Sequence, residues 1–167
     1  MNVILIGMPG AGKSRLGKRL SEKLKMKYFD TDKYIRDRYG DIPKIFSEKG
    51  EVYFREKETE SAFFAAKLSG SVISTGGGMV LRRENMTALK SCGTVVYLKA
   101  SKEALLKRTA GSSRPLLKGD AEKNIENLLQ KRTPLYETYA DITVDVSGDD
   151  VEEKTDRIIS LLGRNYD

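Results

Sequence analysis

The sequence predicts an α/β fold, in which a parallel β-sheet is covered on both faces by helices. Short apolar runs alternate with amphipathic segments along the whole 167-residue chain. The first apolar run, Asn2–Ile6, leads into a glycine-rich turn, after which Leu16, Leu20 and Leu24 recur every four residues. This spacing places the three leucines on one face of a helix. The chain therefore opens with a buried strand, a turn and a helix.

The later segments continue this alternation and predict a single domain over residues 1–167. Gly40 is expected to close the second helix, and Asp41 and Ser101 are suited to begin later ones, because glycine favours helix ends and Asp and Ser favour N-caps. Pro134 is expected to break or kink its helix, since proline lacks a backbone N–H. The predicted strands cover residues 27–30, 71–75, 94–98 and 142–146, and the predicted helices cover residues 33–39, 41–48, 51–68, 82–91, 101–109, 121–132 and 151–162.

Composition and charge narrow the class of protein. There are 30 Lys and Arg against 24 Asp and Glu, a formal net charge of +6. Because acidic residues are interleaved with the basic ones, we expect small anionic ligands rather than nucleic acid. No apolar run approaches the ~18 residues that span a membrane, and the first strand leaves no room for a signal peptide. The single cysteine, Cys92, cannot form an internal disulfide. We therefore expect a cytoplasmic monomer with no membrane partner.

Residues 7–14 read Gly-Met-Pro-Gly-Ala-Gly-Lys-Ser and fit the phosphate-binding pattern G-x-x-x-x-G-K-[ST] at every fixed position. The amides that begin the following helix have no internal partners and lie at the positive end of its dipole, so an anion is stabilised there. Lys13 would reach the β- and γ-phosphates, and the Ser14 hydroxyl would ligate Mg²⁺. The motif predicts binding of a nucleoside triphosphate with magnesium.

Two more features follow predicted strands at the same edge of the sheet. Asp30 and Asp32 end the second strand, and Gly76, Gly77 and Gly78 follow the third. Ligands of such sheets bind beyond the carboxyl ends of the strands. The two carboxylates are therefore expected near the metal and the acceptor. The alternative is that Asp32 only caps a helix, which would leave Asp30 unexplained.

Four arginines are candidates for a role in ligand binding or catalysis, and the sequence supports them to different degrees. On spacing alone, Arg55, Arg108 and Arg132 are best interpreted as solvated charges on helices, and Arg55 as the centre of a surface ion pair with Glu51 or Glu58. Arg114 differs because it lies in the aperiodic segment 110–120, which contains glycines at both ends. An arginine carried over a phosphate site by a lid stabilises phosphoryl transfer.

Taken together and in order, these motifs resemble the bacterial-type shikimate kinase family over essentially the whole chain. The resemblance implies transfer of the ATP γ-phosphoryl group to the 3-hydroxyl of shikimate. It also implies a three-layer fold like that of nucleoside monophosphate kinases, with strand order 2-3-1-4-5, a substrate-binding region at about 32–60 and a lid at about 110–120. The motifs are the phosphate loop, Asp-Thr-Asp at 30–32, Phe54-Arg55, the segment 74–78, Arg-Pro-Leu-Leu at 114–117 and Lys-Arg-Thr-Pro-Leu-Tyr at 131–136.

On the nucleotide side, the resemblance implies contacts with ATP from the loop and from two arginines. Arg108 would lie against adenine, beside the loop 147–150, and Arg114 would reach the phosphates from the lid. Asp30 would contact Mg²⁺ through water, and Ser14 would ligate it directly. The nucleotide-binding residues implied in this way are Gly10, Ala11, Gly12, Lys13, Ser14, Arg15, Arg108 and Arg114.

On the acceptor side, the resemblance implies that Asp32 bonds the hydroxyls of shikimate and acts as the base. Arg55 and Arg132 would clamp the carboxylate, a match of guanidinium to carboxylate geometry. Phe46 and Phe54 would wall the pocket, and the glycines Gly76, Gly77 and Gly78 would help to hold the substrate.

Other kinases of the same fold are the alternatives closest to this one. A gluconate kinase would not need this lid motif, and a nucleoside monophosphate kinase would need a longer lid and a second phosphate site. A nucleotide-dependent switch is disfavoured, because no N-K-x-D motif occurs.

Overall fold

The computed structural model describes residues 1–110 and 119–164, which form an α/β fold around one parallel sheet of five strands. The strand order is β2-β3-β1-β4-β5, as the resemblance implied. The strands are β1 Asn2–Ile6, β2 Lys27–Asp30, β3 Ser71–Ser74, β4 Gly93–Lys99 and β5 Ile142–Asp145.

Helices follow the strands and pack against the sheet, so the elements predicted from the alternation are confirmed. A short 3₁₀ helix, Met79–Leu81, follows β3. Helices α1 and α8 pack against each other, and α5 and α7 pack on β4. The helices are α1 Lys13–Leu24, α2 Thr31–Tyr39, α3 Ile42–Lys49, α4 Glu51–Ala66, α5 Arg83–Lys90, α6 Lys102–Thr109, α7 Ala121–Tyr139 and α8 Val151–Arg164.

The central strand β1 anchors the core because it has a strand on each side and all of its residues are buried. Ile4, Leu5 and Ile6 are fully buried, and burial of each such side chain stabilises the fold by about 1.5–3 kcal/mol. In the described part of the chain, no helix combines the length and apolar character that crossing a membrane would require.

The register of the strands brings their carboxyl ends to one edge. Leu5 of β1 and Asp30 of β2 both pair with Ser74 of β3. The phosphate loop after β1, the acidic pair after β2 and the glycine run after β3 therefore leave the sheet side by side.

Pro134 does not break its helix, which was one of the two predicted outcomes, because α7 continues through it to Tyr139. A proline inside a helix costs about 3 kcal/mol. Contacts just beyond it offset this cost: Tyr136 is fully buried, its ring centroid lies 5.0 Å from that of Tyr97, and its hydroxyl donates a 2.6 Å hydrogen bond to the Gly77 carbonyl. Tertiary packing thus outweighs the local preference.

Candidate active site

A cleft of about 1010 Å³ opens at the carboxyl edge of the sheet. It brings together nearly all of the residues singled out from the sequence that the structure describes, with the phosphate loop in its centre. From the candidates, its walls include Gly10, Ala11, Gly12, Lys13, Ser14, Arg15, Asp30, Asp32, Phe46, Phe54, Arg55, Gly76, Gly77, Gly78, Arg108 and Arg132.

The phosphate loop has the backbone that the motif predicts. Gly10 and Gly12 have φ angles of 87° and 90°, which favour glycine. A Cβ on Gly10 would also lie 2.6 Å from the Cγ2 atom of Thr109. Gly12 is the N-cap of α1, so the free amides of that helix lie at the cleft.

Lys13 is buried and folds back over the loop that precedes it. Its Nζ donates hydrogen bonds of 2.6 and 2.8 Å to the carbonyls of Gly7 and Met8. These contacts hold a positive charge beside the amides that begin α1. The arrangement suits an anion in which several oxygens need donors at once.

Ser14 and Asp30 are directly linked, since the Ser14 hydroxyl donates a 2.9 Å hydrogen bond to Asp30 Oδ2. The other Asp30 oxygen accepts from the backbone N–H groups of Asp32 and Lys33. Asp30, and not Asp32, is therefore the N-cap, and α2 begins at Thr31 rather than at Lys33. The sequence-based alternative that assigned the cap to Asp32 was wrong.

Ser14 and Asp30 could bind Mg²⁺ only together with a polyphosphate, which would supply further oxygen ligands. A hydroxyl and a carboxylate are hard oxygen ligands of the type that Mg²⁺ prefers, and Mg²⁺ in kinases takes its remaining ligands from water and phosphates. Within residues 1–110 and 119–164, no cluster of three or more His, Cys, Asp or Glu could hold a metal ion alone.

The glycine run after β3 is required for space. A Cβ on Gly76 would lie 2.8 Å from Asp32 Oδ1 and 2.9 Å from Glu58 Oε2, and a Cβ on Gly77 would lie 2.7 Å from Pro9. A Cβ on Gly78 would collide with the Arg55 guanidinium. The backbone can therefore pass close beneath Asp32 and Arg55 only because three side chains are missing.

Arg55 forms ion pairs with Glu51 and Glu58, as its spacing predicted, but it is buried, so the prediction of a surface position was wrong. On α4 it donates to the buried carboxylate of Glu58 at 2.9 Å and to Glu51 at 3.1 Å, and its own side chain is only 9% exposed. Burial raises the pKa of Glu58 above its ordinary value, while the charge of Arg55 opposes that rise. Glu58 Oε2 is buried, has no hydrogen-bond partner among the residues that the structure describes, and lies toward Gly76 and Asp32.

Arg132 brings a second buried guanidinium to the same end of the cleft from α7. It is 3% exposed, which also contradicts the solvated interpretation. Phe46 and Phe54 lie beside this end, with their ring centroids 4.8 Å apart. Arg55 is paired with Glu51 and Glu58, whereas Arg132 adds a second positive charge that can attract an anionic ligand. Its shape and charge suit a carboxylate on a small, partly apolar molecule.

Arg108 marks the opposite end of the cleft. Its Nη2 donates to the carbonyls of Val146, Ser147 and Gly148 at 2.7–3.1 Å. Its Nη1 is buried and has no hydrogen-bond partner among the described residues. The guanidinium is therefore held in place by the loop after β5.

The cleft also contains residues that the sequence analysis did not single out. Arg36 lies one turn after Asp32 on α2, and Lys154 lies on α8 with only 8% of its surface exposed. Lys154 could have been found in the sequence, because it interrupts the apolar face formed by Val151, Thr155 and Ile158. The predicted lid arginine, Arg114, lies outside the described residues, so its role stays a prediction.

The fold and the phosphate-loop motif together define a P-loop kinase, which is a class of phosphotransferase. The sequence model of the shikimate kinase family (SKI) matches residues 9–163. The chain belongs to the shikimate kinase family.

Individual relatives and solved structures agree with that membership. A shikimate kinase from Thioalkalivibrio sulfidiphilus is 42% identical over 99% of this chain and 86% of its own. One from Dictyoglomus turgidum is 44% identical over 94% of each chain. The structure of the Acinetobacter baumannii shikimate kinase in complex with shikimate is similar with a TM-score of 0.95 and 35% identity, covering 98% of this chain and 93% of that one.

Proposed function

We propose that this chain transfers the γ-phosphoryl group of ATP to the 3-hydroxyl of shikimate, giving shikimate 3-phosphate and ADP. This is the phosphorylation step of chorismate and aromatic amino acid biosynthesis. The observation that carries the proposal is one cleft that joins a phosphate loop to a buried pocket with two arginines. A nucleotide tail fits the first part and a carboxylated alcohol fits the second.

The phosphate chain of ATP would lie on residues 10–15, at the amides that begin α1. Lys13 would exchange its bonds to the Gly7 and Met8 carbonyls for the β- and γ-phosphates. Mg²⁺ would be held by Ser14 and, through water, by Asp30, and when bound it would neutralise charge on the phosphates. Adenine would lie against Arg108, and Arg114 would reach the phosphates from the segment 110–120.

The carboxylate of shikimate would lie between the guanidinium groups of Arg55 and Arg132. Phe46 and Phe54 would cover its apolar face, and the Gly77 N–H would donate to the substrate. The hydroxyl groups would then lie toward Asp32, at the end of the pocket nearest to the phosphate loop. Such orientation contributes to a phosphoryl transfer, which needs positioning and cations more than covalent help.

In the reaction the 3-oxygen forms a bond to the γ-phosphorus while the bond from that phosphorus to the β–γ bridging oxygen breaks. The proton of the hydroxyl passes to the Asp32 carboxylate. Lys13 stabilises the charge that develops on the phosphoryl oxygens. No histidine is present in the chain, and none is needed by this scheme.

We further propose that the chain acts as a single domain and a monomer in the cytoplasm, with no nucleic-acid partner. The single sheet and the large hydrophobic core that packs on it support the first part of this proposal. Interleaving of acidic and basic residues on the helices supports the last part.

A coupled assay of ADP release, with shikimate, gluconate and AMP offered in parallel, tests the function. We expect ATP turnover with shikimate at least about a hundredfold above that with the other two, since neither combines a carboxylate with a rigid ring of hydroxyls. Faster turnover of gluconate or AMP would overturn the assignment of the acceptor.

A further inference from the structure

A buried lysine lines the nucleotide end of the cleft and has no part in the scheme above. Lys154 is the fourth residue of α8 and shares the wall with Arg15 and Arg108. Both burial and the positive end of the helix dipole are unfavourable for a cation at this position. Charges retained in unfavourable surroundings beside a cleft are candidates for a functional role.

The Lys154 ammonium is bound to the loop after β5. Its Nζ donates a 2.7 Å hydrogen bond to the Gly148 carbonyl, and Arg108 Nη2 donates to the same oxygen at 2.8 Å. Cations from α6 and α8 thus converge on one carbonyl. The next residue of that loop, Asp149, lines the cleft, so whatever fixes Gly148 also fixes part of the nucleotide wall.

The convergence is electrostatically costly, which argues against an accidental contact. Burial lowers the pKa of Lys154, and the nearby charges of Arg108 and Arg15 lower it further. The opposing charges are those of Asp149 and Asp150, both of which are exposed. An apolar residue would fill the same place on the face of α8 without this cost.

We propose that Lys154 is a positioning residue for the nucleotide, which fixes the Gly148 carbonyl together with Arg108 and so holds residues 147–149 against the base and ribose of ATP. The proposal rests on the proposed use of ATP but not on the identity of the acceptor. Lys13, by contrast, bonds to the phosphate loop itself. Because Lys154 bonds to the loop after β5 and not to the phosphate loop, we expect it to affect the base and ribose rather than the phosphates.

Substitution Lys154→Met keeps the length of the side chain and removes its charge and its donors. Binding of ADP and of inorganic tripolyphosphate is measured by calorimetry. We expect the Kd for ADP to rise about tenfold, the equivalent of one hydrogen bond, while the Kd for tripolyphosphate stays within twofold because it has no base or ribose. The KM for ATP should rise by the same factor, with kcat and the KM for shikimate unchanged.

Two further variants separate positioning from simple packing. Lys123→Met removes an exposed lysine of α7, away from the loop after β5, and should change neither Kd. Lys154→Arg keeps a charge and donors and should retain ADP affinity within about threefold. The melting temperature of ligand-free Lys154→Met should not fall, since exchange of a buried charge for an apolar group is often neutral or stabilising.

Unchanged ADP affinity in Lys154→Met would overturn the proposal, and so would equal weakening of ADP and tripolyphosphate, which would mean that the charge acts on the phosphates. A lower melting temperature with proportionate loss of every ligand would also overturn it. Failure of the proposed function can be told apart from failure of the Lys154 proposal. In that case the wild-type chain would bind ADP but would not phosphorylate shikimate.

Discussion

The guanidinium of Arg55 donates a 2.9 Å hydrogen bond to the carboxylate of Glu58, and both side chains are withdrawn from solvent. The pair lies on one face of α4, three residues apart, and borders the proposed carboxylate pocket. Glu58 thus holds in place a cation that the substrate would share. The ion pair makes stability and recognition depend on the same two residues.

Substitution Arg55→Met should reduce the free energy of unfolding more at pH 8 than at pH 5. Burial already raises the pKa of Glu58, so the folded state binds its proton more tightly than the unfolded chain, and stability falls as the pH rises through the folded pKa. Loss of Arg55 raises that pKa further. We expect a loss of about 3–5 kcal/mol at pH 8, measured by urea unfolding.

The double variant Arg55→Met, Glu58→Gln is the control, because it removes the buried charge as well. It should recover most of the lost stability and show little dependence on pH. Equal losses of stability at both pH values in the single variant would show that the loss does not arise from an unpaired charge on Glu58.

Substitution Asp32→Asn should lower kcat by about 10²–10⁴-fold, the usual contribution of a positioned base. The Kd for ADP should not change, because the proposed scheme places Asp32 at the acceptor and not at the nucleotide. Steady-state kinetics and ADP titration together provide the measurement. A variant with weakened ADP binding and a normal rate would place Asp32 at the nucleotide instead.

Substitution Lys13→Ala should reduce kcat by about 10²–10³-fold or more, since it removes a donor that faces the developing charge. Affinity for tripolyphosphate should fall as well. Lys18→Ala, an exposed lysine of the same helix, is the matched control and should retain full activity. Near-normal turnover without Lys13 would contradict the role of the phosphate loop.

Substitution Arg132→Lys should raise the KM for shikimate about 10–100-fold. A lysine keeps the charge but cannot make two parallel hydrogen bonds to a carboxylate, and bonds to charged groups contribute about 1.5–3 kcal/mol. The KM for ATP should be unaffected. Lys131→Ala, at the exposed neighbouring position, should change neither value; an unaltered KM for shikimate in Arg132→Lys would remove Arg132 from the pocket.

Substitution Gly78→Ala should destabilise the protein by about 1–3 kcal/mol, the typical cost of overpacking, and should raise the KM for shikimate by displacing Arg55. Thermal unfolding and kinetics measure the two effects. Gly163→Ala is the control, because a Cβ there meets no atom within 4 Å. It should leave stability unchanged or increase it slightly.

The sequence predicted the fold well because the signals of an α/β fold are local. Buried strands, the phosphate loop and most helix ends depend on residues close together in the chain, and they lie where expected. Pro134 is the exception, because its helix is held by the distant contacts of Tyr136 with Tyr97 and Gly77. Periodicity cannot report such contacts.

The candidate site could be predicted in outline but not in its physical detail. Sequence spacing treated Arg55 and Arg132 as exposed charges, because burial depends on neighbours that are remote in sequence. It also could not show that Asp30 is shared between the Ser14 hydroxyl and the first turn of α2. Only the resemblance to a family, and not the spacing, directed attention to the two arginines.

The lack of a side chain at Gly78 also bears on how the sequences of related proteins are compared. The space beside its α-carbon is filled by the guanidinium of Arg55, so the identities of the two positions are mutually dependent. In a relative with a bulkier residue at 78, the guanidinium of an arginine at 55 would have to lie elsewhere, or another residue would have to replace it. A change at either position would therefore mark a carboxylate pocket whose geometry differs from the one in this chain.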